Sequence, residues 1–277
     1  MKLYNTIEGI VIENEGKNFI LRESWDSIIN NDNVVSYLSE KIQAMTHDPH
    51  AKILVRKKLL PPVVNQEIWA SGVTYYRSKK ARMDESKDAG GGDFYDRVYD
   101  APRPELFFKC APYRAVGNYD YVRIRGDSAW NVPEPELTLV ITSNGKIIGY
   151  TIGNDMSSRD IEGENPLYLP QAKTYDGSAA LGPCIFLTED PFPADSKIKI
   201  AITRKDTIVF TGQTSADQMK RSKEELVDYL FKELSFEKGV LLMTGTGIVP
   251  PDSFTLYLGD KIEITIDHIG TLTNTVK

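Results

Sequence analysis

The chain has 277 residues, a formal net charge of -6 and a sequence pI of about 5.3. That length holds one large domain or two unequal ones, and 41% hydrophobic with 26% charged residues is a globular composition rather than a disordered one. The acidic balance argues against a nucleic-acid partner, which asks for a basic face. No apolar run approaches the ~20 residues of a membrane span. No apolar signal region follows Met1, so no membrane partner and a cytoplasmic location are expected. The two cysteines, Cys110 and Cys184, give neither a zinc spacing nor a disulfide framework.

Residues 1–65 read as a small N-terminal α/β unit. Ile7–Glu13 alternates like a strand, with Asn18–Leu21 as its partner. Val35, Leu38, Ile42 and Met45 recur at helical spacing, which predicts a helix over Asn33–Met45 with Asp32 as its N-cap. Leu59-Leu60-Pro61-Pro62 marks a boundary, leaving residues 66–277 as the larger domain.

Glu67–Val73 reads as a strand, and a helix is expected after a Thr74 cap, through Tyr75-Tyr76-Arg77-Ser78 to Arg82. Gly90, Gly91 and Gly92 cannot hold a helix cheaply, and read as the hinge of a lid. Pro104–Lys109 is a short apolar strand carrying two charges. Glu105 is unusual in such a run; it is either exposed at the strand start or a buried acid with a raised pKa.

The most informative stretch is a hairpin. From Glu134 to Thr142 polar and apolar residues alternate, the period of a half-buried strand. Asn144-Gly145 signals a two-residue turn with positive φ at both positions, and a second strand runs from Lys146 to about Asn154. If Ser143 faces Lys146, Glu136 lies opposite Gly153 and Glu134 opposite Asp155. Three carboxylates then converge, and like charges across a ladder destabilise it. A hard divalent cation, Mg²⁺ or else Mn²⁺ or Ca²⁺, would remove that penalty. A solvated acidic strand end, permitted by Pro133 and Pro135, is the plain alternative.

Farther on, Ile198–Thr203 and Ile208–Thr211 form another hairpin, Ser222-Lys223-Glu224-Glu225 is a capping box opening a helix, and Val240–Thr244 and Lys261–Ile266 are strands. Strands dominate after residue 66. The expected class is α+β, mainly β: a mixed β-roll or sandwich with a small N-terminal α/β domain.

The hairpin leads into Asn154-Asp155-Met156-Ser157-Ser158-Arg159-Asp160, then Lys173, then Leu181-Gly182-Pro183. This order of E-x-E-L, N-D-x-S-x-R-D, lysine and L-G-P resembles the fumarylacetoacetate hydrolase family. The resemblance runs from about Glu67 to the C-terminus, more weakly through Gly245-Thr246 and Leu258-Gly259-Asp260 to Ile269-Gly270. It implies Glu134, Glu136 and Asp155 as metal ligands, Arg159 as a substrate-binding residue that also orders the ligand loop through ion pairs, and Thr246 as a holder of the substrate carboxylate. It also implies a homodimer or homotetramer acting on a small-molecule 2-oxo acid. Many of the family's hydrolases carry N-Y-x-x-H near Thr74-Tyr75, with a histidine that activates water. Here that stretch ends in Ser78, a candidate substrate contact, and no histidine lies between His50 and His268. Glu105 matches a pocket glutamate of the dehydratase branch, and Glu162 stands where hydrolases have glutamine.

The resemblance therefore implies dehydration of a 2-keto-3-deoxy sugar acid to 2-oxoglutarate semialdehyde, with Lys173, Glu105 and Glu162 sharing the proton transfers. Lys173 or Glu105 would be the base, and Glu162 or Glu105 the acid. Two other functions are compatible with the residues: carbon–carbon hydrolysis of acylpyruvates or fumarylacetoacetate-like diketones, and a non-catalytic metal-binding scaffold. The missing histidine speaks against the first; the second leaves Lys173 and Glu162 unexplained.

Overall fold

A computed structural model of the chain describes residues 1–75 and 99–277. Ser78, most of the helix expected after Thr74 and the hinge at Gly90–Gly92 lie outside the described residues.

The chain opens with a meander, β1 (Lys2–Thr6), β2 (Gly9–Asn14) and β3 (Lys17–Leu21), followed by α1 (Trp25–Ile29), α2 (Val34–Gln43) and α3 (Ala51–Lys57). Then come β4 (Glu67–Gly72), β5 (Glu105–Cys110), β6 (Ala115–Val116), β7 (Tyr121–Val122) and β8 (Asn131–Val132). The central hairpin is β9 (Pro135–Ile141) with β10 (Ile147–Asp155), followed by β11 (Ser157–Ser158), α4 (Arg159–Glu164) and α5 (Leu169–Lys173). The remainder is β12 (Ala179–Leu187), β13 (Lys197–Arg204), β14 (Thr207–Ser215), α6 (Lys223–Leu230), β15 (Val240–Met243), β16 (Lys261–Ile266) and β17 (Gly270–Val276).

Two main sheets result. The larger, mixed sheet runs β3-β2-β1-β12-β10-β9-β15-β4-β5, with β6 beside β12; the smaller runs β14-β13-β16-β17-β7. Leu137, Leu139 and Ile141 of β9 meet Ile198, Ile200 and Ile202 of β13 and Ile262 and Ile264 of β16 in the largest apolar cluster. That is the sandwich core expected from alternating strands. Residues 1–65 share the larger sheet through β1 and β12; Trp25, Ile28 and Leu38 pack with Val140 and Ile148 of the hairpin in a second apolar cluster, and Tyr4, Val11 and Leu54 join the largest one. No helix among the described residues is long and apolar enough to cross a membrane.

The hairpin departs from the expected one in three ways. β9 is buried on both faces, not half-buried. Its polar face is covered because the site lies against one end and the N-terminal helices against the other. The turn is also one residue longer than expected. Thr142 N–H donates to Lys146 O at 2.9 Å and Gly145 N–H to Thr142 O at 3.0 Å, while Gly145 takes φ 77° and Asn144 stays at negative φ. This is a three-residue loop closed by a glycine, the form next in frequency to the two-residue turn. A bulge between Ile147 and Gly149 then shifts the register back, so Glu136 still pairs with Gly153. Finally, Asp32 does not cap α2; its carboxylate accepts from Thr142 Oγ1 at 2.6 Å and Asn144 Nδ2 at 2.8 Å, pinning the turn. The N-cap position of α2 is Asn33.

The capping box at α6 is half-formed. Ser222 Oγ accepts from Glu225 N at 3.0 Å, whereas the Glu225 carboxylate turns to Arg221 at 2.5 Å.

Gly153 has a packing role. A Cβ there would lie 2.4 Å from Thr138 Oγ1 and 3.1 Å from Met243 Cε. Gly153→Ala should therefore cost about 1–3 kcal/mol of stability by overpacking. A urea midpoint unchanged from wild type would show that this corner has room to spare.

Candidate active site

The pairing of β9 with β10 builds the centre. Gly153 sits opposite Glu136, and Asp155 N–H donates to Glu134 O at 3.0 Å, so the three side chains converge. Ligating oxygens of Glu134, Glu136 and Asp155 lie within 4.8 Å of one another, and all three residues are buried. Burial first, then the neighbouring charges of Asp155 and Glu134, push the Glu136 carboxyl well above the ordinary carboxylate range.

Cations from three elements surround this cluster. Lys173, at the end of α5, places Nζ 2.7 Å from Glu134 Oε2 and 3.0 Å from Asp155 Oδ2. Arg159, the first residue of α4, places Nη2 2.7 Å from Glu134 Oε1 and Nη1 3.2 Å from Glu162 Oε2. Ser157 Oγ donates to the same Glu162 oxygen at 2.9 Å. Lys109, at the C-terminal end of β5, lies 2.6 Å from Asp155 Oδ1 and donates to Met156 O at 3.0 Å and to Lys173 O. The N-D-x-S-x-R-D stretch thus supplies a ligand in Asp155, a clamp on Glu162 in Ser157, and a bridge between two carboxylates in Arg159. Its last residue, Asp160, accepts from Ser128 Oγ at 2.6 Å and Ala129 N at 2.7 Å, which fixes the loop before β8.

Glu134, Asp155, Arg159, Glu162 and Lys173 line one cavity together with Ser71, Gly72, Glu105, Phe107, Gly245 and Thr246. Glu105 is half-buried and pairs across the strands with Gly72. A Cβ at Gly72 would meet Glu105 Oε2 at 2.1 Å, so the carboxylate lies over the bare backbone of β4 and faces the cavity. Thr246 lies at the cavity wall, where its Oγ1 accepts from Ile248 N at 3.2 Å. Gly245, at φ 84°, turns its N–H onto Glu136 Oε2 at 2.5 Å.

The structure thus brings together Glu105, Glu134, Glu136, Asp155, Arg159, Glu162, Lys173 and Thr246, all named from the sequence. It adds Lys109. Its signal was present: Lys109 shares the strand face of Glu105 and Phe107 under a period of two. A bulge leaves it out of the β4–β5 ladder, between the paired Phe108 and Cys110, and its side chain is fully buried.

A divalent cation fits this donor set. The ligating oxygens of Glu134, Glu136 and Asp155 converge in a buried place. Carboxylates held this close repel one another, and an all-oxygen set suits a hard ion.

A family model described as fumarylacetoacetate (FAA) hydrolase, C-terminal, matches residues 68–277. The chain is 48% identical over 216 residues to a probable 2-keto-3-deoxyxylonate dehydratase of Haloferax volcanii, covering 78% of this chain and 73% of that one. It is 42% identical over 224 residues to 2-dehydro-3-deoxy-D-arabinonate dehydratase of Saccharolobus solfataricus, covering 79% and 74%. A solved structure of 2-keto-3-deoxy-D-arabinonate dehydratase complexed with magnesium and 2,5-dioxopentanoate superimposes with a TM-score of 0.84 at 35% identity, covering 100% of this chain and 99% of that one.

Proposed function

The chain belongs to the fumarylacetoacetate hydrolase family, and within it we propose that it is a Mg²⁺-dependent dehydratase of 2-keto-3-deoxy sugar acids. One observation carries this: Lys173, Glu105 and Glu162 converge on the Glu134–Asp155 cavity, and none of the chain's three histidines lines it. His268 instead stacks against Phe186 at 5.9 Å. A hydrolase needs a base for a nucleophilic water. A dehydratase needs a base at C3 and an acid at the C4 oxygen.

For a five-carbon substrate, the C3–H and C4–O bonds break, one water leaves, and a C3=C4 double bond forms. A proton shift from C5 to C3 and tautomerisation of the C4=C5 enol give 2,5-dioxopentanoate, which is 2-oxoglutarate semialdehyde. Held by Glu134, Glu136 and Asp155, a divalent cation supplies Lewis acidity at the 2-oxo group. Lys173 or Glu105 removes the C3 proton, and Glu105 or Glu162 delivers a proton to the leaving hydroxyl. Thr246 takes the substrate carboxylate, Arg159 keeps Glu134 and Glu162 in place beside it, and Ser78 contributes a further substrate contact. Mn²⁺ or Ca²⁺ are the expected substitutes at an all-oxygen site, and the assembly is a homodimer or homotetramer.

The two relatives' substrate names converge. Xylonate and arabinonate of the D series differ only at C2 and C3, and in the 2-keto-3-deoxy acid neither carbon is a stereocentre. The configuration at C4 alone is left for the pocket to choose.

The test is incubation with Mg²⁺ and a panel of 2-keto-3-deoxy acids and acylpyruvates. Semialdehyde should form from the C4-hydroxylated acids, and the ultraviolet band of the acylpyruvates should persist. Cleavage of acylpyruvates with every sugar acid untouched would overturn the proposal.

A further inference from the structure

The three carboxylates at the centre divide their oxygens between two tasks. One oxygen of each is held from outside: Glu134 Oε1 by Arg159 at 2.7 Å, Asp155 Oδ1 by Lys109 at 2.6 Å, and Glu136 Oε2 by the Gly245 N–H at 2.5 Å. The second oxygens of Glu134 and Asp155 both hold Lys173 Nζ, at 2.7 and 3.0 Å. The ammonium therefore stands where a cation shared by these two carboxylates has to stand. Mg²⁺ binds oxygen at about 2.0–2.1 Å and demands near-ideal geometry. An ammonium and a divalent ion held on the same two oxygens in a buried pocket would repel each other with little screening.

We propose that Mg²⁺ and the Lys173 ammonium compete for the inner oxygens of Glu134 and Asp155, so that metal binding moves the Lys173 side chain off them and into the cavity. The base is then released toward substrate only when the metal is in place. This rests on the reading of Glu134, Glu136 and Asp155 as a metal site.

Lys109 has the complementary part. It ion-pairs with Asp155 Oδ1 at 2.6 Å and donates to Met156 O and Lys173 O, and the residue is fully buried. Lys109 is not among the residues that line the cavity, so it does not reach substrate there. It is a positioning residue that ties Asp155 to the main chain at Lys173. The lysine side chain can then swing while the end of α5 stays in place.

The experiment is Mg²⁺ titration calorimetry on the full-length wild type, K173M and K109M. Removing a competing arrangement that holds some nine-tenths of the population tightens apparent affinity by about tenfold, so K173M should bind Mg²⁺ at least that much more tightly than wild type. K109M removes the same charge from the same Asp155 and should not tighten binding. Equal or weaker binding by K173M overturns the competition, as does an equal gain in both variants, which would reduce the effect to charge removal. Crystal structures of the wild type with and without Mg²⁺ give the same answer without a variant: Lys173 Nζ still on both oxygens beside a bound ion overturns it. If the wild type binds no divalent ion at all, the metal site itself falls and the competition with it.

Discussion

Glu136→Gln should abolish Mg²⁺ binding and dehydration while leaving the fold intact. The three carboxylates at the centre are not equivalent. Asp155 is paired with Lys109 and Lys173, and Glu134 with Arg159 and Lys173. Removing either charge strands buried cations, at about 3–5 kcal/mol for a broken buried pair. Glu136 has no such ion pair among the described residues; it accepts from the Gly245 N–H, and burial with the neighbouring carboxylates pushes its pKa up. Glutamine copies the shape of that acid and keeps an acceptor for Gly245. It removes an anionic ligand from a buried site, so the metal should go while the protein stays.

Two readouts follow. Wild-type stability should rise with Mg²⁺, by about 2.7 kcal/mol at a hundredfold excess over Kd, and Glu136→Gln should show no such rise. Chelation should abolish wild-type activity and readdition of Mg²⁺ should restore it. Full activity after exhaustive chelation, or in Glu136→Gln, would remove the metal from the mechanism.

The site was legible in the sequence where spacing alone carries geometry. Glu134 and Glu136 share a strand face whatever the turn, and the acids and Lys173 stand at fixed intervals along the chain. The register was reached through two deviations that cancel. A three-residue loop at Ser143–Gly145 displaces it by one, and the bulge at Ile148 restores it. Local turn chemistry favours the two-residue form. What overrides it is tertiary: Asp32, from the loop before α2, accepts from both Thr142 and Asn144. No local signal reports a clamp that reaches across more than a hundred residues. Lys109 carries a local signal, the strand face it shares with Glu105, but its partners are not local. Its importance comes from Asp155 and from the carbonyl of Lys173, which lie on distant elements. The alternating strands of the sandwich, by contrast, were visible because each buries one apolar face, and Lys261–Ile266 fell where its pattern placed it.

The last expected result separates base from acid. With 2-oxopentanoate in D₂O, which has no C4 hydroxyl to lose, the wild type should exchange its C3 protons. Lys173→Met should lose both this exchange and dehydration of the sugar acid. Glu105→Gln and Glu162→Gln should lose dehydration by about 10²–10⁴-fold, the usual share of one proton-transfer group, and keep the exchange. Geometry distinguishes these two acids. Glu162 Oε2 is gripped by Ser157 and Arg159, whereas the Glu105 carboxylate lies so close over the bare backbone of Gly72 that a single methyl there would meet it. Gly72→Ala should therefore push Glu105 aside and reproduce the Glu105→Gln phenotype without touching a titratable group, leaving Mg²⁺ affinity unchanged. If Lys173→Met still exchanges C3 at the wild-type rate, Lys173 is not the base. Loss of exchange in Glu105→Gln would then move that role to Glu105 and leave Glu162 as the acid.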